Sequence, residues 1–258
     1  MRFKKHCYNF AHFVFRLIQP ILDIRALLFS FPRYIEFIKD RGKYSKMEGA
    51  ERINLLDIYP CIHDKTQTTS FDSHYFYQDI WAFQRIFKSK VNYHVDIGSR
   101  VDFVGFLTTI TKVTFIDIRP LKVTLENFES IEGDILSLPF KDNSVESLSC
   151  LHVAEHIGLG RYGDLLNPQG TKKATKELSR VLAPGGNLYF SVPVGNPRLC
   201  FNAHRIHSPE QILDYFDDLD LIEVSGINDN GIFTQKIDIK RLSNCYYGCG
   251  LFWFKKPK

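Results

Sequence analysis

The sequence predicts an α/β fold, a doubly wound and mostly parallel sheet with a helical appendage before it. Three observations carry this. From residue 91 onward, apolar runs of strand length recur, rich in β-branched and aromatic residues: "VNYHVDI", "KVTFIDI", "VESLSCL" and "NLYFSVPV". Helical patterns separate them, and strands that alternate with helices close into a parallel sheet covered on both faces. The chain has 258 residues, 44% of them hydrophobic, enough for one domain of ordinary size plus an appendage.

The elements follow in order. Residues 1–45 read as helices, with Pro20 and Pro32 as breaks. The first of them is basic at its start (Arg2, Lys4, Lys5) and then amphipathic. Phe10, Phe13, Val14, Leu17, Ile18 and Ile21 share a face. Asn9, His12, Arg16, Gln19, Asp23 and Arg25 interrupt the apolar run, so it lacks the length of uncharged sequence that a membrane-spanning helix needs. Arg16 and the lack of a small-residue cleavage site argue against a signal peptide. Such a helix either docks on the domain or makes peripheral contact with a membrane surface. Residues 46–73 are polar and irregular, and "HYFYQDIWAFQRIFK" (74–88) reads as an aromatic-rich helix leading into the main domain. The expected divisions are therefore 1–45, 46–90 and 91–258. Within the last, Ala174, Leu178, Val181 and Leu182 mark one helix face, and "APGGN" is expected to stop that helix with a left-handed cap. "SPEQILDYF" opens a helix with Ser208 as N-cap, Pro209 in the first turn and Gln211 completing a capping box. "CYYGCGLFWFKK" reads as a turn into a last strand whose aromatics enter the core.

Composition narrows the function classes. The net charge is +4 with no long basic run beyond the first residues, so nucleic acid is not expected as a partner. The six cysteines (Cys7, Cys61, Cys150, Cys200, Cys245, Cys249) are scattered apart from one C-x-x-x-C, which lacks the second pair that a zinc site wants. They read as reduced thiols of a cytoplasmic protein, and no metal is expected.

In a doubly wound sheet, ligands bind at the carboxyl ends of the strands. The first strand runs into "HVDIGSRVDF", an acid (Asp96) followed by one glycine (Gly98), with Arg100 and Asp102 where a glycine-rich loop would place its next glycines. A dinucleotide needs those glycines for its pyrophosphate, so the loop argues against one. The second strand ends in Asp117, about 20 residues beyond Gly98, the spacing at which a carboxylate meets ribose hydroxyls. Asp134 follows a short third strand, and the fourth leads to "CLHVAEH".

These segments, "GDILSLPFKDNSVESLSCLHVAEH" followed by "ELSRVLAPGGNLYFSVP", resemble the class I S-adenosylmethionine (SAM)-dependent methyltransferases in order and spacing. The resemblance covers roughly residues 91–200. "FDSHYFYQ", "EHIGLGRYGD" and "VPVGNPRLCFNAHR" also look like a poorly characterised methyltransferase-like family whose members often occur near glycan-assembly genes. What the resemblance implies is a Rossmann-like, seven-stranded sheet that binds SAM. Asp117 would hold the ribose, and Asp134 the adenine amino group, with the Ile135 amide facing a ring nitrogen. Gly98 and Ser99 would border the methionine end. Asp96 would orient the loop and meet the cofactor ammonium through water, and carbonyls near Leu151 and His152 would complete that site. Arg100 either pairs with the cofactor carboxylate or points into solvent. SAM has no phosphate, so a loop poor in glycine is compatible with it.

"HVAEH" offers His152, Glu155 and His156 at the mouth of the expected pocket. They serve as base and acceptor contacts, as ligands of a divalent cation, or as structural caps. As base, His156 is favoured over His152, which lies nearer the cofactor's positive charge; His204 is the next candidate. Asn202, His204 and Arg205 are expected to flank the acceptor, with Arg205 either reading an acidic group or fixing the turn. Tyr75, Tyr77 and Gln78 form either a lid or core packing. "GRYGDLLNPQG" reads as a substrate-side loop with glycines at its turns. The expected activity is SAM-dependent O-methylation of a small molecule or glycan. The alternative is a methyltransferase-like binding or assembly protein without catalysis.

Overall fold

The computed structural model describes residues 24–258. The amphipathic face from Phe10 to Ile21 and the basic residues before it lie outside the described residues. The chain divides into two compact units at Ser70/Phe71.

In the first unit, helix α1 (Ile24–Tyr44) runs through Pro32. The expected break at that proline is therefore absent. Proline forfeits one intrahelical bond, a loss that an exposed turn tolerates, and Leu28, four residues before Pro32, is 69% exposed. The segment that follows folds back on α1 through Arg33 to His63 (2.6 Å) and Lys65 to Glu36 (2.5 Å). Among the described residues no helix is long and apolar enough to cross a membrane.

The second unit opens with α2 (Ser73–Ser89). Asp72 caps it by accepting from the His74 and Tyr75 N–H groups, and Lys90 ends it in the left-handed conformation. Then come β1 (Tyr93–Ile97), α3 (Val101–Leu107), β2 (Lys112–Asp117), β3 (Phe128–Glu132) and β4 (Val145–Leu151). After them come α4 (Gly170–Val181), β5 (Leu182–Val194), β6 (Arg198–Cys200), β7 (His204–Ile206) and α5 (Pro209–Tyr215). The chain ends with β8 (Asp220–Ile227), β9 (Phe233–Thr234), α6 (Ile239–Ser243) and β10 (Gly248–Lys255).

The main sheet has the order β3-β2-β1-β4-β5-β10-β8-β9. Its first five strands are parallel, and β10 runs antiparallel between β5 and β8. This is the expected mixed, mostly parallel sheet of seven strands, with a two-residue eighth, β9, on the β8 edge. The central strands are buried on both faces because helices cover each side, which is why they read as continuous apolar runs. α2 lays Trp81, Ala82 and Ile86 against this sheet, and α4 buries Ala174, Leu178 and Val181.

The capping box at Ser208 and Gln211 forms as expected. "APGG" does not cap α4. That helix ends on Leu182 in extended backbone, and Gly185 takes its positive φ of 77° inside β5. There Val145 pairs with Leu182 but Ser147 with Asn187, so the glycines serve a bulge. β1 is flanked by β2 on one side and β4 on the other. The order in which strands are added to the sheet reverses at this strand, and a crevice opens at the carboxyl ends of all three parallel strands.

Candidate functional site

The loop after β1 is held from beneath. Asp96 is fully buried. Its Oδ1 accepts from the Ser99 N–H at 3.0 Å, and its Oδ2 from the Ser149 hydroxyl. Since that hydroxyl donates to a carboxylate, it accepts from His94 Nε2 at 2.8 Å, and His94 Nδ1 accepts from Ser147 at 2.7 Å. Burial raises Asp96 to about 7 against these hydrogen bonds, and lowers His94 to about 3. Asp96 thus orients the loop from beneath, fully buried, with one hydrogen bond to each oxygen from within the protein. Ser99 Oγ accepts from the Leu151 N–H at 3.1 Å, tying the loop to the end of β4.

Above this support lies an inner cavity of about 640 Å³, bordered by Gly98, Asp117, Asp134 and Ile135. Gly98 has φ 63°. A Cβ there would lie 3.2 Å from Val153 and 3.5 Å from Asp117 Oδ2, so glycine keeps this corner open. Asp117 and Asp134 each close an Asx turn, accepting from the Arg119 and Leu136 N–H groups at 2.7 and 2.8 Å.

An outer cavity of about 690 Å³ is walled by Phe71, Tyr75, Phe76, Ser99, Arg100 and Leu151. The two cavities share Gly98, His152, His156 and Tyr162. Arg100 lies over the Tyr75 ring and pairs with Asp102 (3.0 Å) and Asp79 (3.8 Å), so its charge is already compensated within the protein.

His152 stands at the seam in the left-handed conformation, φ 56°, which is strained for a non-glycine residue. Its Nδ1 is 2.6 Å from Gln78 Oε1, which also accepts from the Ser191 hydroxyl at 2.7 Å. The amide orientation follows from Gln78 Nε2, which donates to Asp79 Oδ1 at 3.2 Å. A carbonyl oxygen only accepts, so His152 carries its proton on Nδ1. Its Nε2 is then a bare lone pair, buried and without a hydrogen-bond partner. Burial, then the neighbouring His74, His156 and His204, push its pKa well down.

His156 Nδ1 donates to the Ala203 carbonyl at 2.6 Å, and burial lowers its pKa to about 4. Glu155 is fully buried, and neither carboxyl oxygen has a hydrogen bond; Oε1 lies 3.6 Å from His156 Nε2. Burial raises it to about 8, the protonated form at neutral pH. Among the described residues one group brings three donor atoms within 4.8 Å of one another: His74, His152 and Cys249. The His152 nitrogen near Cys249 Sγ (4.0 Å) is the Nδ1 already held by Gln78, so the trio does not read as a metal site.

The remaining expected residues lie around this centre. Tyr77 stacks on Phe233 at 5.3 Å and borders neither cavity. Asn202 turns the β6–β7 hairpin with φ 63° and faces the Leu159 carbonyl at 3.5 Å. Arg205 donates to the carbonyls of Ile157 (2.6 Å) and Asn167 (3.0 Å), which fixes a loop. His204 packs between His156 and Tyr247. The glycine-rich segment expected on the substrate side borders the inner cavity through Gly163–Asn167, and Tyr162 alone reaches both. In the sequence, Asp164, Leu165 and Leu166 stand out only as part of that glycine-rich loop, and nothing singles out Arg119, which follows Asp117 by two residues with no glycine beside it.

This is the fold of the class I SAM-dependent methyltransferases. The chain is similar to the N-methyltransferase NodS of Bradyrhizobium japonicum WM9, solved with S-adenosylhomocysteine (SAH): 15% identity, 77% of this chain and 92% of that one, TM-score 0.50. NodS in a second structure gives 16% identity, 71% and 97% coverage, and a TM-score of 0.51. A structure of the Haloferax volcanii Trm112 methyltransferase activator with a candidate methyltransferase gives 15% identity, 72% and 90% coverage, and a TM-score of 0.53. Residues 121–241 match a family described as Caenorhabditis protein of unknown function, DUF268. No curated protein matches the chain in sequence.

Proposed function

We propose that the protein is a SAM-dependent methyltransferase acting on a hydroxyl of a small molecule or glycan. The observation that carries this reading is the seam. A cavity with an acid at each of two successive strand ends meets a second, aromatic-walled cavity at His152, whose Nε2 is buried and has no hydrogen-bond partner. The residues of the inner cavity fit the adenosyl group. Asp117 offers a carboxylate beside the space that the missing side chain of Gly98 leaves open, and Asp134 and the apolar Ile135 stand beyond it. SAM, when bound, supplies a methyl group on a sulfonium.

The protein's own contribution is to orient the acceptor and remove its proton. Geometry favours His152 over His156 as base. His152 lines both cavities with its tautomer fixed by Gln78 and its Nε2 buried but unpartnered, whereas Nε2 of His156 lies 3.6 Å from the neutral Glu155. The acceptor O–H donates to His152 Nε2, and the proton passes there as the oxygen takes the methyl group. Desolvation keeps the imidazole neutral and ready beforehand.

Isothermal titration with SAH and with NAD tests the cofactor assignment. SAH is expected to bind and NAD not. Asp117→Ala should weaken SAH by about 1–3 kcal/mol, the scale for losing a charge-assisted hydrogen bond. No heat with millimolar SAH would overturn the proposal.

A further inference from the structure

We infer that the loop from Ile157 to Asn167 is the outer wall of the nucleoside site. Leu165 and Leu166 cover the adenine, and a clasp of Arg119 on Tyr162 joins this wall to the end of β2. The inference rests on the proposed adenosyl-binding role of the inner cavity.

The loop is held by its own hydrogen bonds. Asp164 Oδ2 accepts from the N–H groups of Gly158 (2.6 Å), Leu159 (3.1 Å) and Gly160 (3.3 Å), and its Oδ1 from Tyr162 (3.3 Å). The base is closed by Asn167 N–H to the Gly158 carbonyl at 3.0 Å, and Arg205 bridges the carbonyls of Ile157 and Asn167. Gly158 has φ 80°, and a Cβ there would lie 2.2 Å from the Asn167 oxygen, so the closure admits only glycine. A compact loop pinned at its ends by side chains holds its tip in a set place.

That tip presents two adjacent leucines, 90% and 69% exposed, and both border the inner cavity. Ile118 and Ile135 border the same cavity from the ends of β2 and β3. Apolar groups from the strand ends and from a fixed loop thus bound one space, and the ligand class that fits between them is a flat, weakly polar ring. Arg119 supplies the link. Its Nε lies 3.6 Å from Asp117 Oδ1, and its guanidinium carbon 4.3 Å from the Tyr162 ring centroid. Asp117, Arg119 and Tyr162 therefore form one connected line from the ribose acid to the loop.

The test uses the full chain with SAH and with adenosine alone, read by titration and stopped-flow. Leu165→Ser with Leu166→Ser should weaken both ligands by the same factor, about 10-fold for the apolar area that stays uncovered. Tyr162→Ala and, separately, Arg119→Ala should speed SAH dissociation about 3-fold, whereas Tyr162→Phe keeps the ring and the wild-type rate. The leucines and Arg119 are exposed, so the leucine and Arg119 variants should keep the wild-type melting temperature. Wild-type binding of SAH together with unchanged affinity in the leucine variant refutes the wall. A leucine variant that binds adenosine normally but SAH weakly refutes its placement over the base. A wild-type chain that binds neither ligand removes the underlying cofactor reading, and the wall with it.

Discussion

Removing the charge of Glu223 should loosen the helix that carries the site. Glu223 lies on β8 and Arg85 on α2, at 7% and 8% side-chain exposure, and they form an ion pair. The same Glu223 Oε1 also accepts from Trp81 Nε1 (3.2 Å) and the Ser225 hydroxyl (2.7 Å). Arg85 further donates to the Trp81 carbonyl at 2.8 Å, but its Nε has no partner. Glu223→Leu would leave a buried guanidinium uncompensated, which costs about 3–5 kcal/mol. Glu223→Gln keeps a neutral acceptor for Trp81 and Ser225 and should cost about 1–3 kcal/mol. Arg85→Met with Glu223→Leu removes both charges and should recover most of the loss, giving a double-mutant cycle far from additive. For a unit of this size, about 3 kcal/mol corresponds to a fall in Tm of roughly 6–12 °C. Urea unfolding followed by tryptophan fluorescence measures each variant, since Trp81 packs under Arg85 at 4.5 Å. Although burial pushes the Glu223 carboxyl up, Ser225 and Arg85 hold it below 4.5. Its contribution is therefore present above about 4.5, the unfolded value, and is lost as pH falls through the lower folded value. A cost below about 1 kcal/mol for Glu223→Leu at pH 7, or additive single variants, would refute the reasoning.

Gln78→Leu should shift the His152 proton from Nδ1 toward Nε2, whereas Gln78→Glu, which keeps an acceptor, should not; nitrogen NMR of labelled histidine decides, and an unchanged tautomer in the leucine variant counts against the relay. Glu155, raised by burial to about 8, stabilises the fold only while its proton stays on. Its contribution is full below about 4.5 and is lost as pH rises to 8, so Glu155→Gln should gain on wild type over that window by at most about 1.4 kcal/mol per pH unit. Melting curves from pH 5 to 9 measure this, and a gap independent of pH refutes it. If the N-terminal segment contacts a membrane, Arg2→Glu, Lys4→Glu and Lys5→Glu together should abolish co-sedimentation with anionic vesicles, at about 1 kcal/mol per basic residue removed; equal sedimentation of both chains refutes the anchor.

What the sequence made legible is what depends on neighbours along the chain. Strand-length apolar runs, the Ser208 capping box and the spacing of Gly98, Asp117 and Asp134 are local patterns: the runs form strands, the box opens α5, and the three residues lie at or just past strand ends. What stayed hidden depends on partners from distant segments. Asp96 is sealed by Ser149 from β4, and His152 takes its tautomer from Gln78, 74 residues earlier. For Arg205 the sequence leaves anion binding and loop fixing open, and the two carbonyls that decide for loop fixing come from segments 38 and 48 residues earlier. The "APGG" segment misleads for a related reason. Left-handed glycine serves a helix cap and a strand bulge equally, and only the pairing of β5 with β4 chooses between them.

Two of the side chains that carry buried, unpartnered polar atoms stand close together beside the cavities, and identifiable contacts hold them there. Among the described residues, the buried side chains without partners include His152 Nε2 and both oxygens of Glu155, three residues apart beside the seam. Such groups are unfavourable to bury, and a fold keeps them only where surrounding contacts over-determine the geometry. Here those contacts are identifiable. Gln78 and Ser191 hold the imbalance at His152, and the Ala203 carbonyl holds His156 beside Glu155. α2 brings Gln78 to the site and is itself locked to β8 by Arg85 and Glu223. The stability of that distant ion pair and the protonation state of the proposed base are thus linked through a single helix. If the linkage holds, Glu223→Leu should disturb the His152 tautomer in the same NMR spectra that report on Gln78→Leu, although Glu223 pairs with Arg85 and not with the imidazole. A destabilised Glu223→Leu with an unaltered His152 signal would show that α2 is held in register at its first turns by Asp72 and the sheet alone.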